Sequence, residues 1–526
     1  MATDPRARYH QAVDALNRAD WNSALALAQS VLRDVSDHAG VHFVAGVAAR
    51  ELRQIPLGIQ HLERAVRLNP VRGDYLAQLA RCWAQASVPG RAMEIADRAA
   101  PLAGEDPVTL DALGLVYTQG HAYEKAAEMF GRVAQLCPHS ARAQYNHATA
   151  MIHAGDLGAA EAALEAALQA DPRYWRAYLS RAQLRKWTPG DNHVDHLQRL
   201  RAGAGNDAMA QLCLNLALSK ECEDLGEDVE AFDRLVEGKR WGRTGRNYST
   251  AQDEELFEAL VASAPRGVPA EAGCDSDAPV FIVGLPRTGT TLVERIISSP
   301  SEVRSAGELQ NFGVALKRRS GSTTPVMFDL DMVRRSGDLD WKQLGREYLD
   351  STRPGTDGAL RFIDKLPHNF LFAAHIAAAL PNARIICLRR NPMDSCLSNF
   401  RQLFSLGSSY YDYSFDLMDT ARYYLLFDRL MAAWRELLPG RILEVSYEEV
   451  VADVESNARR LIDFCGLPWE DACLRFEENE APVATASAVQ VRSPVYRSAI
   501  GRWKRFETQM QPVRELFEST GLKIES

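Results

Sequence analysis

A glycine-containing loop after a short apolar run has the residue types needed to bind a phosphate-like anion. Residues 280–283 are apolar and strand-favouring, which predicts a buried parallel strand. After this run, Gly284 and Gly289 allow backbone N–H groups to approach an anion closely, and Thr290 and Thr291 add hydroxyl donors. The helical pattern that follows adds the positive end of a helix dipole. The segment therefore predicts an anion site between a strand and a helix.

The cation in this loop argues against a nucleoside triphosphate bound with magnesium. The Walker A loop reads G-x-x-x-x-G-K-[ST], but Thr290 occupies the lysine position here and the cation has moved to Arg287. A second predicted strand, 384–388, is followed by Arg389 and Arg390 rather than by a Walker B acid. The loop therefore favours a single 5′-phosphate, and a P-loop-like nucleotide kinase or NTPase stays open as an alternative.

Residues 286–291 resemble the 5′-phosphosulfate loop of sulfotransferases, P-loop-like α/β enzymes whose donor is 3′-phosphoadenosine-5′-phosphosulfate (PAPS). Arg390 and Ser398, eight residues apart, match the 3′-phosphate motif of that family. An arginine offers a planar donor fork to a phosphate, and a serine adds a hydroxyl. Tyr447 stands where the family places a tyrosine near the adenosine. The resemblance implies PAPS as the donor co-substrate and the following binding residues: Arg287, Thr288, Gly289, Thr290, Thr291, Arg390, Ser398, Tyr447 and Arg497.

Residues 496–504 resemble the Arg-Lys-Gly-x-x-Gly-x-Trp segment of cytosolic sulfotransferases, which also contacts the 3′-phosphate. The first arginine and the first glycine of that pattern are replaced here by tyrosine and serine. This match implies that Arg497 contacts the 3′-phosphate, and Arg502 and Lys504 are weaker candidates for the same contact.

Sulfuryl transfer needs a cation at the leaving phosphate oxygen and a base for the acceptor's proton. Arg287 and Lys365 are the predicted cations, because the segment around Lys365 resembles the family's lysine-containing strand end. Glu308 is the predicted base, since it lies 21 residues after Arg287, the interval found in tyrosylprotein sulfotransferases. The resemblance implies an acceptor hydroxyl on a peptide or protein (tyrosine), with a small molecule as the other acceptor class, and no metal.

The histidines near Lys365 are expected to be structural. Cytosolic sulfotransferases use a histidine two residues after this lysine, but Pro367 occupies that position here. His368 and His375 lie beside apolar residues, where lone histidines usually belong to the core.

A sheet in the second half of the chain must bring these residues together. Apolar runs at 280–283, 384–388 and 442–445 alternate with helical stretches, which predicts a parallel sheet with helices on both faces. In such sheets ligands bind at the carboxyl ends of the strands. We expect a sulfotransferase α/β domain over residues 279–526, after a helical connection and linker over residues 236–278.

Residues 1–235 predict an all-α N-terminal domain that forms a tetratricopeptide solenoid. Pro70, Pro138 and Pro172 share a 34-residue register, in which small residues recur where helices would touch. This period resembles the tetratricopeptide repeat, with about five readable units over residues 4–172. Such an array either recruits a peptide or protein through its concave face or only packs and dimerises. A homodimer and a non-catalytic scaffold therefore both stay open.

Composition and charge argue against other classes. The 526 residues carry 60 Lys and Arg against 69 Asp and Glu, a net charge of -9, which disfavours nucleic acid as a partner. The nine cysteines show no zinc-binding spacing. The sequence has no apolar N-terminal segment and no run of 18 apolar residues, so we expect a cytoplasmic protein without a membrane span.

Overall fold

The structure is a computed structural model that forms two compact units. It describes residues 4–353, 355–356, 358–479 and 499–524. Of these residues, those up to 170 and within 351–357 form the first unit, and those within 171–350 and from 358 onwards form the second.

The first unit consists of paired helices. Its helices α1 to α10 are Pro5–Asn17, Trp21–Leu32, Ala39–Glu51, Ile55–Leu68, Gly73–Gln85, Pro89–Ala99, Pro107–Gln119, Tyr123–Leu136, Ala141–Ala154 and Leu157–Ala170. Each odd-numbered helix packs against the even-numbered helix that follows it. These five pairs confirm the predicted helical repeats.

Small residues allow the two helices of a pair to approach closely. A Cβ atom on Gly46 of α3 would lie 2.5 Å from Cγ of Leu62 in α4. A Cβ atom on Gly114 of α7 would lie 2.7 Å from the ring of Phe130 in α8. Each proline of the 34-residue register lies two residues after the end of α4, α8 or α10. The sequence register is thus explained by helix contacts and helix ends.

The second unit contains a five-stranded sheet and the remaining helices. The strands are β1 Pro279–Gly284, β2 Val303–Ser305, β3 Arg361–Asp364, β4 Arg384–Arg389 and β5 Ile442–Ser446. Helices α11 to α25 are Trp175–Gln183, Val194–Gly203, Ala208–Leu225, Asp228–Arg243, Thr250–Ala262, Thr290–Ser298, Asn311–Ser320, Leu330–Arg335, Trp341–Thr352, Ala373–Ala379, Pro392–Arg401, Leu417–Leu437, Tyr447–Ala452, Val454–Phe464 and Glu507–Ser519.

All neighbouring strands of the sheet are parallel, in the order β2-β3-β1-β4-β5. The three predicted strands correspond to β1, β4 and β5, and the predicted parallel sheet is confirmed. The shorter strands β2 and β3 complete it beside β1. The carboxyl ends of β1, β3, β4 and β5 therefore meet along one edge.

Alternate residues of β1 face opposite layers of the core. Val280 and Ile282 pack with α16 and α24, whereas Phe281 and Val283 pack with α17, α20 and α22. All four side chains are fully buried. Because both faces of this strand are covered, its sequence is uninterrupted apolar rather than alternating.

Helices α13 and α14 belong to the core of the second unit. Leu212 and Leu216 of α13 and Phe232 and Leu235 of α14 lie in the same apolar cluster as one face of the sheet. Residues 171–235, which the sequence analysis assigned to the helical repeats, thus lie in the second unit. Across the part of the chain that the structure describes, no helix is both long and apolar enough to cross a membrane.

Candidate active site

The loop between β1 and α16 depends on backbone conformations with positive φ. Gly284 has φ 144° and Gly289 has φ 100°, both in the region that favours glycine, and Arg287 has φ 66°. The hydroxyl of Thr288 donates to the carbonyl of Leu285 at 2.7 Å and closes the turn. A non-glycine residue at positive φ is strained, so surrounding contacts must hold Arg287.

Thr290 and Thr291 lie in the first turn of α16, and both are buried. The first N–H groups of a helix have no partner within the helix, and the dipole makes this end positive. The predicted succession of strand, loop and helix N-terminus is therefore present, with the geometry of an anion site.

Tyr447, at the carboxyl end of β5, contacts the loop directly. A Cβ atom on Gly289 would lie 2.4 Å from Cδ2 of the Tyr447 ring, so only glycine fits there. The guanidinium of Arg390 lies 5.0 Å from the centroid of the same ring, within cation–π distance. Tyr447 thus links the loop to the end of β4.

Arg390 joins three separate parts of the chain. Its Nη1 donates to the carbonyl of Arg287 at 3.0 Å and to the hydroxyl of Ser398 at 3.2 Å. Its Nη2 donates to the carbonyl of Ala499. Its Nε is buried, and the described residues offer it no hydrogen-bond partner. A buried guanidinium with an unused N–H is suited to an anionic ligand.

Asp394, which the sequence analysis did not single out, holds the segment after residue 498 against α21. Its carboxylate accepts from the N–H of Gly501 at 2.7 Å and from the N–H of Trp503 at 3.0 Å. Arg497 itself lies outside the described residues, so its predicted contact with the donor stays a prediction.

Arg502 is turned towards a carboxylate of the helical region. Its Nε donates to Glu223 of α13 at 2.8 Å, and Arg401 and Arg505 also pair with Glu223. Lys504 is exposed. The structure therefore places Arg502 in a cluster of arginines around the buried carboxylate of Glu223.

Lys365 and Glu308, the predicted cation and base, form an ion pair. Lys365 follows β3, and its Nζ lies 2.6 Å from Oε1 of Glu308. The backbone N–H of Lys365 donates to the carbonyl of Gly307 at 2.8 Å, which holds the Glu308 segment beside β3. The Lys365 side chain is 1% exposed and that of Glu308 is 32% exposed, so the carboxylate is accessible to an acceptor.

Glu294 is a second carboxylate near Lys365 that the sequence analysis missed. It lies on α16, with Oε2 3.9 Å from Nζ of Lys365. Glu294 lies four residues after Thr290, on the helix that begins at the loop, and this position could have marked it as a site residue.

The aromatic rings of His368, Tyr410 and Tyr411 lie close together near Glu308. The ring of His368 lies 5.2 Å from that of Tyr410 and 5.0 Å from that of Tyr411. Burial, together with the nearby charge of Glu308, raises the pKa of the Tyr411 phenol. Burial lowers the pKa of His368 to about 3 and that of His375 to about 4. Both histidines are therefore neutral near pH 7, in agreement with the structural role expected for them.

Arg389 pairs with residues outside the loop and outside the Lys365–Glu308 pair. It pairs with Asp428, and its Nε lies 3.9 Å from Glu444. Its guanidinium packs 5.0 Å from the ring centroid of Phe427. Of the two adjacent arginines, only Arg390 contacts the loop. No group of three His, Cys, Asp or Glu side chains within the described ranges is placed to hold a metal ion.

Asn399 is a further residue that the sequence analysis missed. Its Nδ2 donates to the carbonyl of Pro286 at 2.8 Å, and its Oδ1 accepts from the hydroxyl of Tyr413 at 2.8 Å. The loop is thus held from α21 through both Asn399 and Arg390. Pro286 lies 113 residues from Asn399 in the chain, so spacing carried no signal for this contact with the loop.

Comparisons with known proteins match both halves of the chain. Residues 279–471 match the model described as Sulfotransferase family, and residues 118–184 match a tetratricopeptide repeat model. A protein of Aquifex aeolicus named "Uncharacterized protein" is 28% identical over 368 residues, which cover 66% of this chain and 47% of that protein. This chain therefore spans about half the length of that relative.

A second relative is protein-tyrosine sulfotransferase A of Caenorhabditis elegans, 24% identical over 289 residues, or 51% of this chain and 73% of that protein. Among solved structures, the tetratricopeptide-repeat protein YrrB aligns with a TM-score of 0.29 and 20% identity, covering 34% of this chain and 92% of that one. The chain thus carries a domain that matches the sulfotransferase family over residues 279–471 and a tetratricopeptide-repeat match over residues 118–184.

Proposed function

We propose that the protein is a sulfotransferase that moves a sulfuryl group from PAPS to a hydroxyl of a peptide or protein, with tyrosine as the acceptor residue. The observation that carries the proposal is the position of Arg390, which joins the loop carbonyl of Arg287 to the hydroxyl of Ser398. This contact connects the two segments that would bind the two ends of one donor nucleotide.

The donor-binding residues fit two phosphate groups. Loop N–H groups, Arg287 and the start of α16 suit the 5′-phosphosulfate. Arg390 and Ser398 suit the 3′-phosphate, because the buried Nε of Arg390 has no partner within the described ranges. Tyr447 supplies a ring beside this group. When bound, PAPS supplies the activated sulfuryl group.

The Lys365–Glu308 pair suits the transfer step. Glu308 accepts the proton of the acceptor hydroxyl as the acceptor oxygen forms its bond to sulfur. The bond between sulfur and the bridging phosphate oxygen breaks, and the electron pair leaves with the 5′-phosphate. Arg287 and Lys365 stabilise the charge that develops on this oxygen. The products are a sulfate ester, the nucleotide bisphosphate and a proton held by Glu308.

Two observations support tyrosine as the acceptor residue. The C. elegans relative is named a protein-tyrosine sulfotransferase, and the partly exposed ring of Tyr411 lies near Glu308, where a phenol ring would pack against it. We further propose that the repeat array recruits the acceptor protein.

A magnesium-dependent kinase is disfavoured, because Thr290 replaces the Walker lysine.

The donor proposal is tested with 3′-phosphoadenosine-5′-phosphate (PAP), the nucleotide product. Calorimetry should show binding to the wild type and its loss in Arg390→Ala. Arg429→Ala, which changes an exposed arginine of α22, is the matched control and should bind normally. Wild-type protein that does not bind PAP would contradict the proposal.

The transfer proposal is tested with PAPS carrying a radioactive sulfuryl group. Label should pass into the protein fraction of a lysate and be lost in Glu308→Gln and Lys365→Met. Glu302→Gln, an exposed carboxylate six residues before Glu308, should keep activity. Magnesium-dependent ATP turnover without label transfer would favour the kinase alternative, and label in small molecules alone would contradict the protein acceptor.

A further inference from the structure

Lys365 lies between two carboxylates, and the transfer step uses only one of them. Its Nζ is 2.6 Å from Glu308 and 3.9 Å from Glu294. The Glu294 side chain is 11% exposed, against 32% for Glu308. Glu294 is thus the more deeply buried partner of this ammonium.

Glu294 is held by contacts of its own. The hydroxyl of Ser305, at the end of β2, donates to its Oε1. The N–H of Gly307 donates in turn to the oxygen of Ser305 at 3.2 Å. One oxygen of Glu294 is therefore engaged by β2, and the other faces Lys365. This engagement and burial leave Glu308 as the carboxylate available to an acceptor.

The charge balance around Lys365 changes during the transfer. Glu308 becomes neutral when it takes the acceptor's proton, while the ammonium of Lys365 stays almost fully buried. A buried cation needs a counter-charge throughout, and besides the charge that develops on the leaving phosphate oxygen, the carboxylates near it must supply one. Of the two carboxylates beside it, only Glu294 keeps its charge at that moment, and its place on α16 ties Lys365 to the helix that begins at the donor loop.

We propose that Glu294 is a positioning residue that holds the Lys365 ammonium at the carboxyl end of β3 while sulfuryl transfer proceeds. This inference rests on the proposed function. Glu294 takes no proton from the acceptor and has no contact with the donor in this role. It acts only through Lys365.

A double-mutant cycle on the free energy of unfolding tests the contact without any donor. The variants are Glu294→Gln, Lys365→Met and both together, unfolded by denaturant. The glutamine keeps the shape of the side chain and an acceptor for Ser305. We expect the double variant to lose less stability than the sum of the single losses, as for groups in contact. The exposed Glu302→Gln, combined with Lys365→Met, should be additive, and additivity for Glu294 would overturn the inference.

Kinetics test the positioning role itself. We expect Glu294→Gln to lower kcat by about tenfold or more, the size of effect that misplacing a reacting group produces. The KM for PAPS and the affinity for PAP should stay within about threefold of the wild type, because Glu294 is not a donor ligand. An unchanged kcat, or an equal fall in kcat and PAP affinity, would overturn the inference. Wild-type protein that neither binds PAP nor transfers label contradicts the proposed function instead, and the stability cycle still reports on the pair.

Discussion

The buried carboxylate of Glu223, in helix α13, forms an ion pair with Arg502, which lies 279 residues later in the chain. The Glu223 side chain is 2% exposed and also pairs with Arg401 and Arg505. Burial alone would raise the pKa of Glu223, but the surrounding arginines lower it on balance. A helix that precedes the α/β domain thus supports the segment that follows Ala499, whose carbonyl contacts Arg390.

Replacing this carboxylate should weaken both the fold and the donor site. In Glu223→Gln the partly buried Arg401, Arg502 and Arg505 lose their common counter-charge, and leaving such groups unpaired costs about 1–3 kcal/mol. We expect a lower free energy of unfolding in denaturant and weaker PAP binding by calorimetry, although Glu223 is not a donor ligand. Glu258→Gln, an exposed carboxylate of α15, should change neither. PAP affinity equal to that of the wild type would show that α13 does not support the donor site.

Gly289→Ala should weaken donor binding. The added Cβ would lie 2.4 Å from the Tyr447 ring, and φ at this position is 100°. We expect PAP affinity to fall by about tenfold or more, since the loop must move to relieve the contact. Gly321→Ala is the matched control, because Gly321 also has positive φ (67°) but nothing lies within 4 Å of its added Cβ. If both variants bind PAP as the wild type does, the loop is not the donor site.

Gly114→Ala should destabilise the repeat array. Its Cβ would lie 2.7 Å from the ring of Phe130, and overpacking of this kind costs about 1–3 kcal/mol. Gly158→Ala should have the opposite sign, since Gly158 lies in helix α10 with only Asp156 nearby, at 3.8 Å. There the loss of chain entropy in the unfolded state stabilises by about 0.5–1 kcal/mol. Thermal unfolding of the two variants checks both signs, and Phe130→Leu should partly rescue Gly114→Ala.

Lys239 should make stability depend on pH. Its side-chain nitrogen is fully buried, donates to the carbonyl of Gln402 at 2.6 Å, and packs against the rings of Phe400 and Phe415. Burial lowers its pKa from the ordinary 10.5 to about 7.

Because of this shift, between about pH 7 and pH 10 the unfolded chain carries the Lys239 proton and the native protein does not. The contribution of Lys239 to stability is therefore complete above the unfolded pKa and is lost as the pH falls towards 7. We expect Lys239→Met to remove this rise in the free energy of unfolding with pH, measured by denaturation at several pH values. The exposed Lys523→Met should keep the wild-type slope, and an equal slope in both variants would contradict the shift.

Local pattern was sufficient for much of the architecture. The 34-residue register predicted the helix pairs of the first unit, because helix contacts require small residues at fixed positions. The apolar run before Gly284 predicted β1, because a strand covered on both faces needs no polar residues. The short strand β2 carried no such signal, since three residues are too few to show a period.

The sequence by itself also determined which residues could form the site. The loop was predicted from residue type and spacing, and Arg390 with Ser398, Lys365 and Glu308 were predicted from the resemblance to sulfotransferases. Helical repeats and strand-to-helix turns depend on residues close together in the chain, so the sequence can predict them.

Only the tertiary structure decided how charge is distributed around that site. It turned Arg502 towards Glu223, paired Arg389 with Asp428, and placed Glu294 beside Lys365. These partners lie between 39 and 279 residues apart in the chain. The pairing of a buried charge depends on which side chains the fold brings within a few ångströms, and no local spacing encodes that distance.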